Sequence, residues 1–284
     1  MFYDYPAEAQ RTGTLQLITI SFSHYAELAR WALELAGVPY TEHGFAPGQH
    51  ALPALSVRLP RTGARHFAES SSMTGRPSPT TLPALVRPGG EVLVDSWAIA
   101  ASTPLAPMEP AFREVLDREV GVAARAFTYS VLLQDRFEPR FRAMCTEGRH
   151  WGWRLLWACG LGAALRGALR ARFRPEDKAG VAACVAKLDA LLSPGGPLAA
   201  ALARRAGQPF LGGAALGQAD VALCAIAAPL VMPEEYGGRA RPLAHHFSHL
   251  LAHDEQLRAH VERWRGTEVG AYVLGVYARY RCPH

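Results

Sequence analysis

Two serines stand where a chain of this kind could hold an anion. Ser23 follows a β-branched run at positions 15–20 and precedes a helical pattern. Ser96 follows Asp95 at the start of a second, shorter helical pattern. The first N–H groups of a helix have no intrahelical acceptor, and the peptide dipoles leave partial positive charge there. An anion therefore settles at such an end, and a hydroxyl adds one more donor. Each serine also reads as an ordinary N-cap. At Asp95–Ser96 the two readings are compatible, because one helix end offers several donors.

Other side chains of chemical interest carry less. The cysteines Cys145, Cys159, Cys184, Cys224 and Cys282 are five in number, and no pair has CxxC spacing. That argues against a disulfide framework and a zinc site and for reduced cytosolic thiols. None lies near Ser23, which disfavours mixed-disulfide chemistry there. His245, His249 and His253 stand at i, i+4 and i+8 on a helical pattern, with His246 and His260 nearby. Such a stripe can bind zinc or nickel; the reading adopted is a solvated polar face, with no metal expected. Trp151, Trp153 and Trp157 read as buried core or subunit interface, with an apolar substrate pocket as the alternative.

The elements that must position these residues follow from the pattern. Positions 15–20 read as a strand, and the helix opened by Ser23 runs to about Ala36. Gly37 and Pro39 end it, as a C′ glycine and a following proline do. The stretch 40–81 is the least legible. It contains a short strand, a helix near 52–58, and a loop rich in Ser, Thr, Pro and Gly over 70–81. Residues 82–86 and 92–94 form a hairpin about Pro88-Gly89-Gly90, and a short helix follows from Asp95. Pro104, Pro107 and Pro110 mark a domain boundary. Beyond it everything reads as helix. One helix opens at Pro175 and closes at 193–197. A second runs over 217–228 and stops at Pro229. Others span about 242–264 and 267–281.

At 284 residues, with 49% hydrophobic and 19% charged residues, the chain can bury a sizeable core in one large or two ordinary domains. The formal charge of +5 is spread along the chain, so no nucleic-acid partner is expected. It suits small anionic ligands, or reflects a genome that writes Arg for Lys. Residues 1–10 lack the pattern of a signal peptide, and the apolar stretch 155–165 is too short to cross a bilayer. The expectation is a soluble, cytoplasmic protein with no membrane partner.

Three segments in order resemble the glutathione transferase superfamily. They are Ser23-His24-Tyr25 with 28–34 and Gly37-Val38-Pro39-Tyr40; Thr81–Val86 with Val92-Leu93-Val94-Asp95-Ser96-Trp97; and 216–223 around Gly217 and Asp220. The resemblance covers most of the chain. It implies an α/β thioredoxin-like N-terminal domain over 13–104 and an all-α C-terminal helical bundle over 109–284, with the site between them. It implies glutathione as co-substrate, a homodimer, and a cis proline at Pro83 that exposes Leu82. Leu82 would pair with the cysteinyl unit of glutathione, and Asp95 and Ser96 would hold the γ-glutamyl end.

The resemblance makes Ser23 the catalytic residue. A thiol of pKa about 8.5 needs about 2.7 kcal/mol of differential stabilisation to fall by about two units. A hydroxyl bonded to a thiolate supplies about 1.5–3 kcal/mol, and a helix end about 0.3–1 kcal/mol. A serine at the first turn combines the two. The thiolate would attack an electrophilic, mostly apolar small molecule, with Tyr25, Phe127 and Tyr129 nearest the second-substrate pocket.

The chain departs from the family pattern at His24, where serine-type members carry proline, and at Gly217, where Ser or Thr is usual. Thr19 stands where tyrosine-type members place their catalytic tyrosine, which disfavours that subtype. Asp220 and Gly217 are assigned to capping and folding. A peroxidase or isomerase using the same thiolate, and a non-catalytic ligand- or partner-binding member, are the alternatives.

Overall fold

The computed structural model describes residues 4–58, 80–238 and 244–281, the side chains of Ala244 and His245 excepted. Residues 70–79 of the loop expected over 70–81, and the tail Cys282-Pro283-His284, lie outside the described residues, as does the side chain of His245. Two compact units form, one within Met1–Glu114 and Arg205–Ile226, the other within Val115–Arg204 and Ala227–His284.

The first unit is built on a four-stranded mixed sheet. Its strands are β1 (Leu15–Ile20), β2 (Tyr40–Phe45), β3 (Ala84–Val86) and β4 (Val92–Val94), in the order β2-β1-β3-β4. β1 and β2 are parallel, with Leu15 opposite Tyr40 and Ile20 opposite Phe45. They need the crossover that α2 (His24–Leu35) supplies. β3 and β4 are the hairpin, antiparallel to β1 and to each other, with Leu17 opposite Leu85 and Leu85 opposite Leu93.

Alternation along the strands covers both faces of this sheet. Ile18, Ala84, Val86, Val92 and Val94 point to one side, where they pack with Tyr5, Ala9 and Val57. Leu17 and Leu85 point to the other, against Ala29 and Leu33 of α2 and Ile99 of α4 (Ser96–Ala101). Sheet and helices thus form the thioredoxin-like layers that the hairpin and the single crossover predict.

Tyr5 and Ala9 belong to α1 (Tyr5–Thr12), an element not anticipated from the sequence. Its signals are present: Asp4 accepts from Ala7 N–H, Pro6 sits in the first turn, and Gly13 closes it at φ 67°. Only Tyr5 and Ala9 are buried, so the apolar periodicity is too thin to register. Further along, α3 (Ala51–Ser56) matches the short helix expected near 52–58.

The second unit is helical throughout its described residues. Its elements are α6 (Val122–Leu132), α7 (Glu138–Thr146), α8 (Trp151–Leu156), α9 (Gly162–Phe173), α10 (Lys178–Leu192), α11 (Pro197–Ala203), α13 (Ala244–His253), α14 (Glu255–Arg265) and α15 (Glu268–Tyr280). α5 (Pro110–Glu114) ends the first stretch of the other unit, and α12 (Gln218–Val231) runs across the division in the chain.

Three boundaries differ from expectation. The helix expected to open at Pro175 opens at Lys178, with Asp177 as its N-cap. Pro229 does not stop α12; it lies inside the last turn, and the helix ends at Val231 with Met232 at φ 45°. A proline this near the end loses its own i−4 bond but disrupts no further turn. The helix expected over 242–264 is two helices, because Asp254 accepts from Leu257 N–H at 3.0 Å and caps α14 afresh.

Candidate functional site

The site candidates of the first unit gather at one end of its sheet. Ser23 follows β1 directly, its N–H donating to Ile20 O at 2.9 Å and its carbonyl accepting from Glu27 N–H. The β1–β3 register, Ile18 opposite Ala84, extends to place Leu82 beside Ile20. Across β3 and β4, Asp95 N–H donates to Pro83 O at 3.0 Å. The N-terminal turns of α2 and α4 meet through Tyr25 and Trp97, whose ring centroids are 6.5 Å apart, edge to face.

Ser23 has the extended backbone of an N-cap, φ −74° and ψ 130°, but its hydroxyl makes no capping hydrogen bond. It is half-buried, and Oγ is left for something other than its own helix. His24, the departure beside it, is buried, with its ring 4.4 Å from that of Tyr25.

Leu82 is open in a different way. The Leu82–Pro83 peptide is cis, as the resemblance implies. The flanking carbonyls are occupied: Arg58 donates to Thr81 O, and Pro83 O accepts from Asp95. Burial pushes the Arg58 guanidinium down to about 10. Among the described residues, neither the N–H nor the C=O of Leu82 makes a hydrogen bond. A half-buried main chain rarely leaves both groups unused.

Asp95 carries the strained backbone of the site, at φ 91° and ψ 135°. That region costs a non-glycine residue about 1–3 kcal/mol and persists only where its surroundings impose it. Here the bond to Pro83 O on one side and the start of α4 on the other impose it. Its carboxylate caps α4 by accepting from Trp97 N–H at 3.2 Å. Ser96 is fully buried, and its hydroxyl donates to the same Asp95 oxygen at 3.3 Å. The capping reading of this pair is therefore realised in the geometry.

The residues expected near a second substrate are all packed. Tyr25 is buried between His24 and Trp97. Phe127, in the other unit, is a core residue in edge contact with Trp264 at 4.9 Å and with His260 at 6.1 Å. Tyr129 stacks on Phe173 at 4.4 Å, and burial pushes its phenol up to about 12.

The first unit instead has a cavity of about 210 Å³ that sequence reasoning did not single out. Leu28, Trp97, Ala100, Met108, Arg113 and Gln218 line it. Arg113 lies over the Trp97 ring at 5.4 Å. The segment 105–108 and the start of α12 are joined by Gln218, which donates from its N–H to Ala106 O and from Nε2 to Leu105 O. These positions are far apart in sequence, and only Trp97 carried a signal.

Asp220 holds the fold together rather than facing a ligand. It is fully buried and accepts from Leu211 N–H at 2.7 Å and from Gly217 N–H at 2.9 Å. The histidine stripe places His249 and His253 in edge contact at 4.1 Å. Among the described residues no three His, Cys, Asp or Glu side chains converge as a metal site would require.

A parallel β1–α2–β2 crossover, an antiparallel hairpin after a cis proline and a helical remainder define the class: a thioredoxin-like domain joined to an all-α region. Residues 22–101 match the glutathione S-transferase N-terminal domain family. The glutathione transferase GSTFuA3 of Phanerochaete chrysosporium shares the fold, with 17% identity over 94% of this chain and 97% of that one, TM-score 0.51. Over residues 22–101 the chain therefore matches a glutathione S-transferase N-terminal domain, and its fold is shared with a glutathione transferase. A glutathione S-transferase of Ceriporiopsis subvermispora, solved with glutathione, covers 95% of this chain and 99% of its own at 16% identity, TM-score 0.47. No curated protein matches the sequence.

Proposed function

We propose that this chain binds glutathione at the end of its sheet and joins it, through its thiol sulfur, to an electrophilic, mostly apolar small molecule. The observation that carries the reading is the pair of open groups at that end. Ser23 Oγ is unused by its own helix, and both main-chain groups of Leu82 are unused by the sheet. Leu82 would pair with the cysteinyl unit as a short extra rung of β-ladder. That brings the sulfur toward Ser23 and the start of α2, where a hydroxyl and a helix end favour the thiolate. Asp95 and Ser96 take the γ-glutamyl end in this reading. Their carboxylate and hydroxyl are already bonded to each other and to α4, so Asp95 receives the ligand's ammonium and the turn's remaining N–H groups receive its carboxylate.

The chemistry is nucleophilic attack by the thiolate sulfur on an electrophilic carbon. The C–S bond forms as the leaving group departs with its electron pair, and the thiol proton is released on binding. Ser23 lowers the thiol pKa by donating to sulfur; it takes no proton itself.

Retention on immobilised glutathione, followed by ultraviolet titration of the bound thiol, tests the proposal. The expected result is elution by free glutathione and thiolate absorbance appearing below the ordinary thiol pKa. Retention with an ordinary thiol pKa turns the reading toward a binding protein without the chemistry. No retention removes glutathione from the account.

A further inference from the structure

The helix Trp151–Leu156 and the π-helical turn Trp157–Leu161 after it carry apolar residues both inward and outward, with Arg154 the one charged residue among them. Inward, Trp157 is buried beside Phe141, and Trp153 donates through Nε1 to Cys145 O at 3.0 Å. Outward, Trp151 is 69% exposed, Leu155 54%, Leu156 56% and Leu161 39%. Of the core or subunit-interface expectation for the tryptophans, Trp157 takes the core and Trp151 lies on the surface of this chain. Exposed apolar side chains gathered like this mark an interaction surface, and the outer half of this helix is such a surface.

Charge indicates what covers it. Between Glu147 and Glu176 the sequence has six arginines and no acidic residue. Arg166 and Arg170 are engaged by Asp135, and Arg170 also by Glu176. Arg154, Arg172 and Arg174 are exposed and make no ion pair among the described residues. Arg154 lies three residues after Trp151 and one before Leu155, on the same side of the helix. A second copy meeting this face across a two-fold axis would set Arg154 and its neighbours against like charges. An anionic surface would not.

We propose that this face docks on an anionic lipid bilayer, with Trp151 at the headgroup boundary, Leu155 and Leu156 in the acyl margin, and Arg154 among the lipid phosphates. This is the arrangement of an interfacial helix, apolar residues with a Trp on one side and cations beside them. It is surface docking, since among the described residues no helix is long and apolar enough to cross a membrane. It goes beyond the sequence expectation of no membrane partner, and it does not depend on the glutathione reading.

The test is co-sedimentation of the full chain with vesicles of phosphatidylcholine alone or mixed with phosphatidylglycerol. A double variant, Trp151→Ser with Leu155→Ser, keeps the charge and replaces two exposed side chains, so its thermal unfolding should match the parent. The parent should bind the mixed vesicles, bind phosphatidylcholine more weakly and release in high salt. The variant should lose about tenfold or more in partitioning, the share that two buried apolar side chains supply. Three results would overturn the proposal. One is no binding of the parent to mixed vesicles. Another is equal binding of parent and variant, which leaves only the general basic charge. The third is a parent oligomer in sedimentation equilibrium that the variant dissolves, which assigns the face to a second copy.

Discussion

The Arg30 guanidinium donates through Nη2 to the carbonyl of Ser21 at 2.7 Å, across the turn that carries Ser23. Arg30 is fully buried in the middle of α2. Its other nitrogens meet Glu42 at 2.8 Å and Glu27 at 3.1 Å, and Thr19 donates to Glu42 at 2.6 Å. One cation thus ties α2, β2 and the β1–α2 turn together. Arg30→Met would leave the buried Glu27 and the half-buried Glu42 without their counter-charge. Breaking a buried pair from one side costs about 3–5 kcal/mol. Urea unfolding should show that loss, and Arg30→Lys should recover little of it, since an ammonium cannot span three acceptors in a plane.

Ser23→Ala should separate chemistry from stability. An N-cap serine replaced by alanine ordinarily costs about 1 kcal/mol because a capping bond is lost. Here that bond is not made. Thermal unfolding should therefore move by less than the equivalent of about 0.5 kcal/mol. Glutathione retention should persist while conjugation of a chlorinated aromatic falls by about tenfold or more, the equivalent of one charge-assisted hydrogen bond. A large loss of stability would mean that Oγ does cap α2 in solution. Unchanged conjugation would shift the thiolate's support to the helix N–H groups.

Asp220→Asn tests the loop before α12. The carboxylate accepts two main-chain N–H groups in a fully buried position, and an amide can accept only through one oxygen. The unpaired N–H left behind costs about 1–3 kcal/mol. The denaturant midpoint should fall accordingly, with conjugation per folded molecule unchanged.

How much of this was legible follows from where the signals lie. The strands and the hairpin were readable because β-branched residues, turn residues and period-two burial agree over 15–20 and 82–94. The helix α2 was readable from Leu28, Ala32 and the Gly37–Pro39 stop. Its buried Arg30 carries no such signal, because a charged residue on a helix is ordinarily a solvated one and its partner Glu42 lies on strand β2. Asp254 was missed as a helix break because the apolar spacing continues through it. The cavity beside Trp97 was invisible for a different reason: Arg113 and Gln218 meet only in the folded chain. Ser23, Leu82 and Asp95 came from a resemblance that runs through local motifs, and the sheet register then brings them to one end.

The pH dependence of stability should have a component from His43. Its Nε2 lies 2.8 Å from Gln16 Oε1, and burial lowers its pKa below the ordinary histidine value, against a smaller opposing pull from Glu8 and Glu42. The folded state thus binds its proton less readily than the unfolded chain. Stability from this group is complete above the unfolded value near 6.5 and is lost as pH falls toward the folded value. His43→Gln should flatten the unfolding midpoint between about pH 6.5 and 5 relative to the parent. A parent whose midpoint rises on acidification through that window would contradict the assignment.

Thiol reactivity offers the last prediction. Burial pushes the Cys145 thiol up to about 12 and raises those of Cys184 and Cys224, the latter with help from the Asp220 charge. These three stay protonated at neutral pH; Cys145 and Cys224 are buried, and Cys184 is half-buried. Cys159 is the one exposed cysteine among the described residues. The thiolate is the reacting form, and access gates it. Brief alkylation at neutral pH, read by peptide mass mapping, should therefore label the peptide containing Cys159 well ahead of those containing Cys145, Cys184 and Cys224. Cys159 also lies four residues after Leu155 on the exposed apolar stretch. Bound anionic vesicles should slow its labelling, whereas vesicles of phosphatidylcholine should protect it less. Equal labelling rates with and without anionic vesicles would place Cys159 away from the lipid surface.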